Sequence, residues 1–404
     1  MFRFLLTLLL CAGSLRAQTP VPRGSGPELE RNLPAGFKRL ELGAAAPAFR
    51  LLGVDDRHYT LADFAQYKYL LVVFLSNHCP YSHAAETRMI PWINRMKSAG
   101  LGVVAIQPNH PDAVTVDELG YSKYNDSFEE MKLYAAENHF TFPYLYDGET
   151  QAVAQAYGAL ATPDLFLFDE NRKLRYSGRF DDSRFEEAST VTRHDAIAAF
   201  DDLRAGRPVA TPYARPMGCA VKWLTKLEKA TTVTRETKWE HDPITLAPID
   251  AAGVAALVKN PTNKLRLINV WATWCAPCVA EFPELAKFSR RLRRRDFEVI
   301  TISLDVPKDQ AKALAFLQAQ HAGMPARITA TLKAEGRTTN NYLYTASSTD
   351  ALVQALDPEW PGPIPHTVLV APGGKILWRY NGPFDATTLG RRILDELGGF
   401  YPLE

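Results

Sequence analysis

Residues 266–281 read RLINVWATWCAPCVAE, and this stretch decides the fold. An apolar run leads into two cysteines separated by two residues, Cys275 and Cys278, and a helix-like stretch follows from Val279. A continuous apolar strand is typical of a sheet that is covered on both faces. The stretch therefore predicts a buried strand that leads directly into a helix, with both cysteines in the first helical turn.

A similar arrangement of strand, cysteine and helix stands in the first half of the chain. Residues 69–75 (YLLVVFL) lead into SNHCPYSH, which puts Cys79 in the place of Cys275. Each copy continues with a second apolar strand, and then with an X-Pro pair followed by two further strands and a helix. The prolines of these pairs are Pro163 and Pro365. Order, spacing and element type predict two copies of one α/β fold.

Composition restricts the class of protein. The chain has 404 residues, of which 46% are hydrophobic and 23% charged, so most of it has the balance of a folded globular protein. The net charge of +1 offers no basic field for nucleic acid. Five cysteines in a chain of this length exclude a small disulfide-stapled scaffold.

The N-terminus reads as an export signal. Arg3 precedes the apolar run 4–12, and Ala17 offers a small residue for cleavage. Export to a bacterial periplasm is therefore expected. Lipid attachment at Cys11 is the alternative, which the large Leu10 before it disfavours. The expected divisions of the chain are a signal peptide at 1–17, a flexible leader at 18–40, a first domain at 41–215, a proline-containing linker at 216–245 and a second domain at 246–404.

The position of the two paired cysteines indicates redox chemistry. A helix N-terminus stabilises a thiolate on Cys275, which would attack a disulfide, and Cys278 would resolve the intermediate. A zinc site would need a second pair of ligands of similar spacing, and the chain has none. A c-type haem site needs a histidine where Val279 stands.

Cys79 has no partner at the same spacing, because Ser82 stands three residues on. Its thiol can react with a peroxide to give a sulfenic acid, form a mixed disulfide, or stay buried and inert. Cys219 is either its resolving partner or a structural residue. His78 and His83 are expected to shape the pocket and tune the thiolate, although with Cys79 they also offer copper a thiolate and two imidazoles.

The second half resembles the TlpA/ResA-like thiol–disulfide oxidoreductases of the thioredoxin superfamily, through NVWATWCAPCVAEFPEL and PIPHTVLVAPGGKI. The resemblance implies a mixed sheet flanked by helices and a cis Pro365 that shapes the substrate groove beside Trp274. It also implies that Glu281 tunes the inner cysteine, unless it is a solvated helix residue. Pro277 before the second cysteine is typical of reducing members. Asn269 departs from the buried aspartate of cytosolic thioredoxins.

The first half resembles AhpC/TSA-type redoxins with an NHCPY motif, over nearly all of 43–223. The resemblance implies a second thioredoxin-like domain, with Thr162 and Pro163 as the cis-proline loop and Ser76 as the hydroxyl residue near Cys79. Typical peroxiredoxins carry a proline where Val72 stands. Many relatives also have a cysteine just before the Thr-Pro pair, at the position that Ala161 occupies here.

The expected function is that of an exported thiol–disulfide oxidoreductase with no cofactor. Its expected partners are protein disulfide substrates and an external thiol reductant such as a membrane thiol transporter. The alternatives are a peroxiredoxin-like antioxidant with an internal reductant domain, and a copper-binding or metallation factor. The Arg290–Arg295 cluster is expected to be a solvated helix end. Within 306–363, which has no assigned function, residues 334–356 are expected to add a helix.

Overall fold

The computed structural model describes residues 26–225 and 241–402. The expected signal peptide, residues 18–25 of the expected leader and residues 226–240 of the expected linker lie outside the described residues. Within the described residues, no helix is both long and apolar enough to cross a membrane.

The first half of the chain folds into a mixed sheet flanked by helices. Its strands are β1 (Arg50–Gly53), β2 (His58–Thr60), β3 (Tyr69–Phe74), β4 (Leu101–Gln107), β5 (Tyr144–Tyr146), β6 (Ala161–Thr162), β7 (Asp164–Phe168), β8 (Leu174–Gly178), β9 (Tyr213–Ala214) and β10 (Cys219–Ala220). Its helices are α1 (Pro80–Met96), α2 (Phe128–Glu137), α3 (Ala152–Tyr157) and α4 (Asp195–Arg204). Eight strands form the sheet in the order β2-β1-β5-β4-β3-β7-β8-β9, and β6 pairs with β10 in a separate ribbon.

Strand β3 occupies a central position, because both of its faces are apolar. Leu71 and Val73 point into the core that holds the buried face of α1, whereas Leu70 and Val72 point into the core on the opposite face. The strand runs parallel to β4 and antiparallel to β7. Its carboxyl end therefore delivers Cys79 to the start of α1, as the sequence predicts.

The second half repeats this plan. Its strands are β11 (Ala247–Ile249), β12 (Leu265–Trp271), β13 (Phe297–Ser303), β14 (Asn341–Tyr344), β15 (His366–Val370) and β16 (Ile376–Asn381). Its helices are α5 (Ala251–Lys259), α6 (Ala276–Arg291), α7 (Gln310–Ala319), α8 (Ala326–Leu332), α9 (Thr349–Leu356) and α10 (Ala386–Leu397). The strand order is β11-β14-β13-β12-β15-β16, with β12 parallel to β13 and antiparallel to β15. The predicted fold class, an α/β fold in two copies, is confirmed.

The stretch 334–356 contains more than the expected helix. It supplies α9, but also β14, which lies between β11 and β13 and is hydrogen-bonded to both. All four residues of β14 are buried. The stretch therefore completes the second sheet.

Segments expected to be loose on either side of the first domain pack against it instead. Leu29 is buried beside Leu160, and Arg39 forms an ion pair with Asp164 at 2.7 Å, although residues 18–40 are expected to form a flexible leader. Beyond the expected boundary at 215, Trp223 is buried in the core under the first sheet. Apolar side chains in both segments are stabilised by burial against the first domain, and the ion pair of Arg39 adds to this in the leader.

The expectation of a solvated Arg290–Arg295 cluster holds for Arg294, which is exposed, but is wrong for Arg291 and Arg295. Arg291 donates hydrogen bonds to the carbonyls of Leu119 and Ser122, and Arg295 donates to Gly120 O at 2.6 Å. The expectation rested on the run of arginines near the end of a helix, where basic side chains are favourable and ordinarily solvated. Here the cluster binds the carbonyls of the 3₁₀ helix Val116–Tyr121, so that it joins the second domain to the first.

Candidate functional site

The dithiol lies at the start of α6, where β12 ends. Cys275 is the N-cap residue and is joined to Cys278 by a disulfide, with 5.3 Å between their Cα atoms. Cys275 is 6% exposed and Cys278 is fully buried. The neighbouring Trp274 is 64% exposed and marks the surface by which a substrate would approach. Of the two sulfurs, that of Cys275 is the one closer to solvent.

The start of α6 is suited to a thiolate on Cys275. The backbone N–H of Cys278 lies 3.3 Å from the Cys275 sulfur and donates towards it. Pro277 lies in the first turn, where its missing N–H costs no helical hydrogen bond. The Ile364–Pro365 peptide bond is cis, and Ile364 O lies 3.8 Å from the Cys275 sulfur. The proline loop of the second domain therefore borders the dithiol.

Glu281 is a buried carboxyl in the turn after Cys278. Its oxygens accept hydrogen bonds from the side-chain amide of Asn269 at 3.0 Å and from the backbone N–H of Phe384 at 3.1 Å. Burial raises the pKa of Glu281 to about 7, although both hydrogen bonds oppose the rise. The group can therefore gain or lose a proton near neutral pH in the helical turn below the dithiol.

We expect the Glu281→Gln substitution to remove a pH dependence of stability. The folded pKa of about 7 lies above the ordinary value of 4.5, so this group's stabilising contribution is complete below 4.5 and is lost as pH rises through 7. The amide does not titrate, so the fall in Tm between about pH 5 and about pH 8 should be smaller in the variant.

Glu284→Gln on the same helix is the matched control, because Glu284 is partly exposed and forms an ion pair with the exposed Lys287. Identical pH profiles for the two variants would count against a titrating Glu281.

The second cysteine site lies at the start of α1. Cys79 is the N-cap residue of this helix and is fully buried. The Cys79 sulfur lies 2.9 Å from Thr162 O, and the Thr162–Pro163 peptide bond is cis. Ser76 shares a hydrogen bond of 2.8 Å with the Thr162 hydroxyl. The two domains therefore place a cysteine and a cis-proline loop in equivalent positions.

Cys219 lies beside Cys79. It stands directly opposite Thr162 in the antiparallel ribbon of β6 and β10, and the two cysteines share one apolar cluster. Gly218 permits this approach, because a Cβ there would lie 2.2 Å from Thr162 O. Both thiols are free in the structure. The structure therefore places Cys219, for which the sequence allows a resolving or a structural role, next to Cys79.

The two thiols differ strongly in acidity. Burial opposes ionisation of Cys79, but a hydrogen bond with the Cys219 thiol and the charge of His78 outweigh burial, so the pKa of Cys79 falls well below its usual range. The hydrogen bond to Cys79 and burial raise the pKa of Cys219 well above its usual range. Cys79 is therefore the more acidic of the two thiols, which is the property of a nucleophilic cysteine.

An aspartate that the sequence did not single out fixes His78. His78 Nδ1 lies 2.5 Å from Asp126 Oδ2, with both side chains buried. Burial opposes the charged imidazole, but the Asp126 carboxylate overcomes this and raises the pKa of His78. Asp126 also accepts from the backbone N–H of Asn77 and the amide of Asn109. Asp126 therefore favours the charged form of His78, the residue next to Cys79 in the chain.

The structure does not bring His78, Cys79 and His83 together as a metal site. His78 is paired with Asp126, whereas the two ring nitrogens of His83 face the carbonyls of Asn77 and Gly399. Across residues 26–225 and 241–402, no group of three or more histidine, cysteine, aspartate or glutamate side chains is placed to hold a metal ion. Both histidines instead position the Cys79 site.

The two cysteine sites lie at opposite ends of α6. Cys275 precedes this helix of 16 residues, which spans about 24 Å. At its other end Arg295 binds Gly120 O, and the adjoining Tyr121 ring packs on Tyr401 beside Cys79. This arrangement does not favour direct exchange between Cys79 and Cys275 of one chain.

Comparison with known proteins adds independent information. The AhpC/TSA family model matches residues 42–177, and the Redoxin family model matches residues 252–395. The chain is 30% identical over 133 residues to the thiol:disulfide interchange protein DsbE homolog of Paracoccus denitrificans, covering 33% of this chain and 59% of that protein. It is 27% identical over 161 residues to the thiol:disulfide interchange protein HelX of Rhodobacter capsulatus, covering 40% of this chain and 76% of that protein.

A solved structure of a hypothetical protein from Sinorhizobium meliloti 1021 is also similar. It is 35% identical in sequence, covers 46% of this chain and 97% of its own, and superposes with a TM-score of 0.41.

Proposed function

This chain belongs to the thioredoxin superfamily and carries two of its domains. We propose that it is an exported thiol–disulfide oxidoreductase that reduces protein disulfides through Cys275 and Cys278. The observation that carries the proposal is a cysteine pair of disulfide geometry at a helix N-terminus, directly after the exposed Trp274. The similarity to thiol:disulfide interchange proteins supports it. The proposed location is the bacterial periplasm.

The proposed reaction proceeds in two exchanges. The Cys275 thiolate attacks one sulfur of the substrate disulfide, the substrate S–S bond breaks, and one substrate thiolate leaves. Cys278 then attacks the Cys275 sulfur, the second substrate thiolate leaves, and the Cys275–Cys278 disulfide forms. Two electrons pass to the substrate, and an external dithiol, such as that of a membrane thiol transporter, restores the reduced pair. We propose that Glu281, which stands three residues after Cys278 in α6 and has a pKa of about 7, exchanges the proton of Cys278.

The first domain is proposed to carry a second exchange centre made of Cys79 and Cys219. The low pKa of Cys79, the raised pKa of Cys219 and their shared cluster support attack by the former and resolution by the latter. Because the two centres lie at opposite ends of α6, reduction of a Cys79–Cys219 disulfide by the second domain is proposed to occur between molecules or after the domains separate.

Peroxide reduction at Cys79 is a second candidate for the first domain. The Cys79 thiolate and the AhpC/TSA match favour it. Its steps would be attack on the peroxide oxygen, giving a sulfenic acid and water or an alcohol, followed by condensation with Cys219 and loss of water.

Trapping of a substrate tests the main proposal. In the Cys278→Ser variant the Cys275 thiolate can attack a disulfide, but no inner thiol resolves the product. We expect a mixed disulfide between Cys275 and disulfide-bonded insulin to accumulate. The adduct should be visible by mass spectrometry and removed by dithiothreitol.

Cys278→Ser combined with Cys275→Ser is the control and should form no such adduct at this site. Absence of an adduct in the single variant, with the protein folded, would refute the proposed role of Cys275.

A further inference from the structure

We propose that residues 398–402, with the sequence GGFYP, occupy a polypeptide-binding site over Cys79, and that this site takes an extended polypeptide segment whose aromatic side chain lies beside the reacting sulfur. The proposal rests on the proposed thiol exchange at Cys79 and names its substrate class. We call residues 398–402 the covering segment.

The backbone of the covering segment and of the residue before it is held through carbonyl groups. His83 Nδ1 lies 3.0 Å from Gly399 O, while its Nε2 lies 2.8 Å from Asn77 O at the Cys79 loop. The Arg295 guanidinium donates to the carbonyls of Leu397 and Gly398. Three consecutive carbonyls are therefore bound by side chains. Recognition through main-chain groups is how proteins bind extended segments of varied sequence.

The side chain of Tyr401 fills an aromatic pocket over the thiols. Its ring centroid lies 5.2 Å from that of Tyr81 and 4.9 Å from that of Tyr121. The same side chain packs on the apolar cluster that contains Cys79 and Cys219. Such a pocket selects an aromatic residue, because ring pairs stabilise the bound state beyond what the burial of their apolar surface contributes. The position of Tyr401 is where a substrate side chain next to an attacked disulfide would lie.

The site continues past the covering segment into a cavity of about 490 Å³. Gly399 and Phe400 line one side of it, and His83, Glu86 and Tyr134 line the other. Glu86 is 4% exposed, and its Oε1 has no hydrogen-bond partner among the described residues, while its Oε2 accepts from the Tyr134 hydroxyl at 2.5 Å. A buried polar atom without a partner is costly, so Oε1 is a natural contact for a bound segment. Burial raises the pKa of Glu86 to about 8, which leaves the carboxyl protonated and able to donate to a carbonyl at neutral pH.

Displacement of the covering segment is the test. In a Cys275→Ser/Cys278→Ser background, the added Tyr401→Ala substitution should speed alkylation of Cys79 about tenfold, since two aromatic contacts are lost. Tyr401→Phe should keep the slow rate, because the ring remains. Tyr380→Ala is the matched control, since Tyr380 is an exposed tyrosine of β16 that stacks on Trp378.

A synthetic peptide of the sequence LGGFYP is then added to the Tyr401→Ala protein. We expect it to return Cys79 alkylation to the slow rate in a saturable manner, whereas LGGAAP should give no protection. Equal alkylation rates with and without the Tyr401 side chain would overturn the proposal. Failure of the LGGFYP peptide to slow the alkylation of Cys79 would overturn it as well. Oxidation of Cys79 by hydrogen peroxide that is equally fast in wild type and Tyr401→Ala would also overturn it. The Cys278→Ser trapping experiment reports separately on the proposed function, because trapping takes place at Cys275 in the second domain, whereas the peptide experiment reports on Cys79 in the first.

Discussion

Replacing Cys275 with serine should lower the rate of insulin-disulfide reduction by more than about a thousandfold. The reason is chemical, because only a thiolate attacks a disulfide at a useful rate, and a serine hydroxyl does not ionise near neutral pH. The loss should appear in the turbidity assay with dithiothreitol as the electron source. Folding should be unaffected, since Cys275 lies at a helix start and a serine is a good N-cap residue there.

Cys79→Ser is the matched control for this result. It makes the same substitution at the equivalent N-cap of the first domain, at the start of α1. The insulin-reduction rate should stay close to that of the wild type if the second domain alone reduces insulin. Full activity in Cys275→Ser, or its loss in Cys79→Ser, would contradict the assignment of the two centres.

The Asp126→Asn substitution should have the second largest effect, on both stability and acidity. It removes one partner of a buried ion pair, which ordinarily destabilises a protein by about 3–5 kcal/mol. Without the carboxylate, burial favours the neutral imidazole of His78, so the charge that stabilises the Cys79 thiolate is lost. The pKa of Cys79 should therefore rise, and its thiolate absorbance in the ultraviolet should appear at higher pH.

Asp181→Asn separates the two effects. Asp181 is also buried and pairs with Arg88 at 2.7 Å, so its loss should destabilise the domain by a similar mechanism. Its pairing does not involve His78, so the titration of Cys79 should not move. An unchanged Cys79 titration in Asp126→Asn, measured below the onset of unfolding, would show that the His78–Asp126 pair does not set the acidity of the thiol.

Much of the fold could be predicted from the sequence, because its central strands are continuous apolar runs. Residues 69–75 and 266–272 become β3 and β12 to within one residue at either end, and each delivers a cysteine to a helix start. Strand β14 was not anticipated. Its residues NYLY lie in a polar stretch and become a strand only because β11 and β13 pair with them.

Parts of the candidate site could not be predicted, because their residues are distant in sequence. Asp126 stands 48 residues from His78 in a loop, and nothing in its local pattern distinguishes it from a solvated aspartate. Tyr401 belongs to the second domain yet lies over the cysteines of the first. Arg295 likewise has the pattern of a solvated helix end, although it is buried between the domains. The Asp126 contact depends on how a loop of the first domain folds back onto the Cys79 site. The Tyr401 and Arg295 contacts depend on how the two halves meet, which a repeat within the sequence does not specify.

A disulfide map of the oxidised protein tests the central claim most directly. The wild-type chain is fully reduced, allowed to react with an excess of a disulfide substrate, quenched with acid and alkylating agent, and mapped by mass spectrometry. Two separate exchange centres predict intramolecular Cys275–Cys278 and Cys79–Cys219 disulfides, with no Cys79–Cys275 link in the monomer. A dominant intramolecular Cys79–Cys275 disulfide, or a Cys275 that remains a free thiol, would contradict the account.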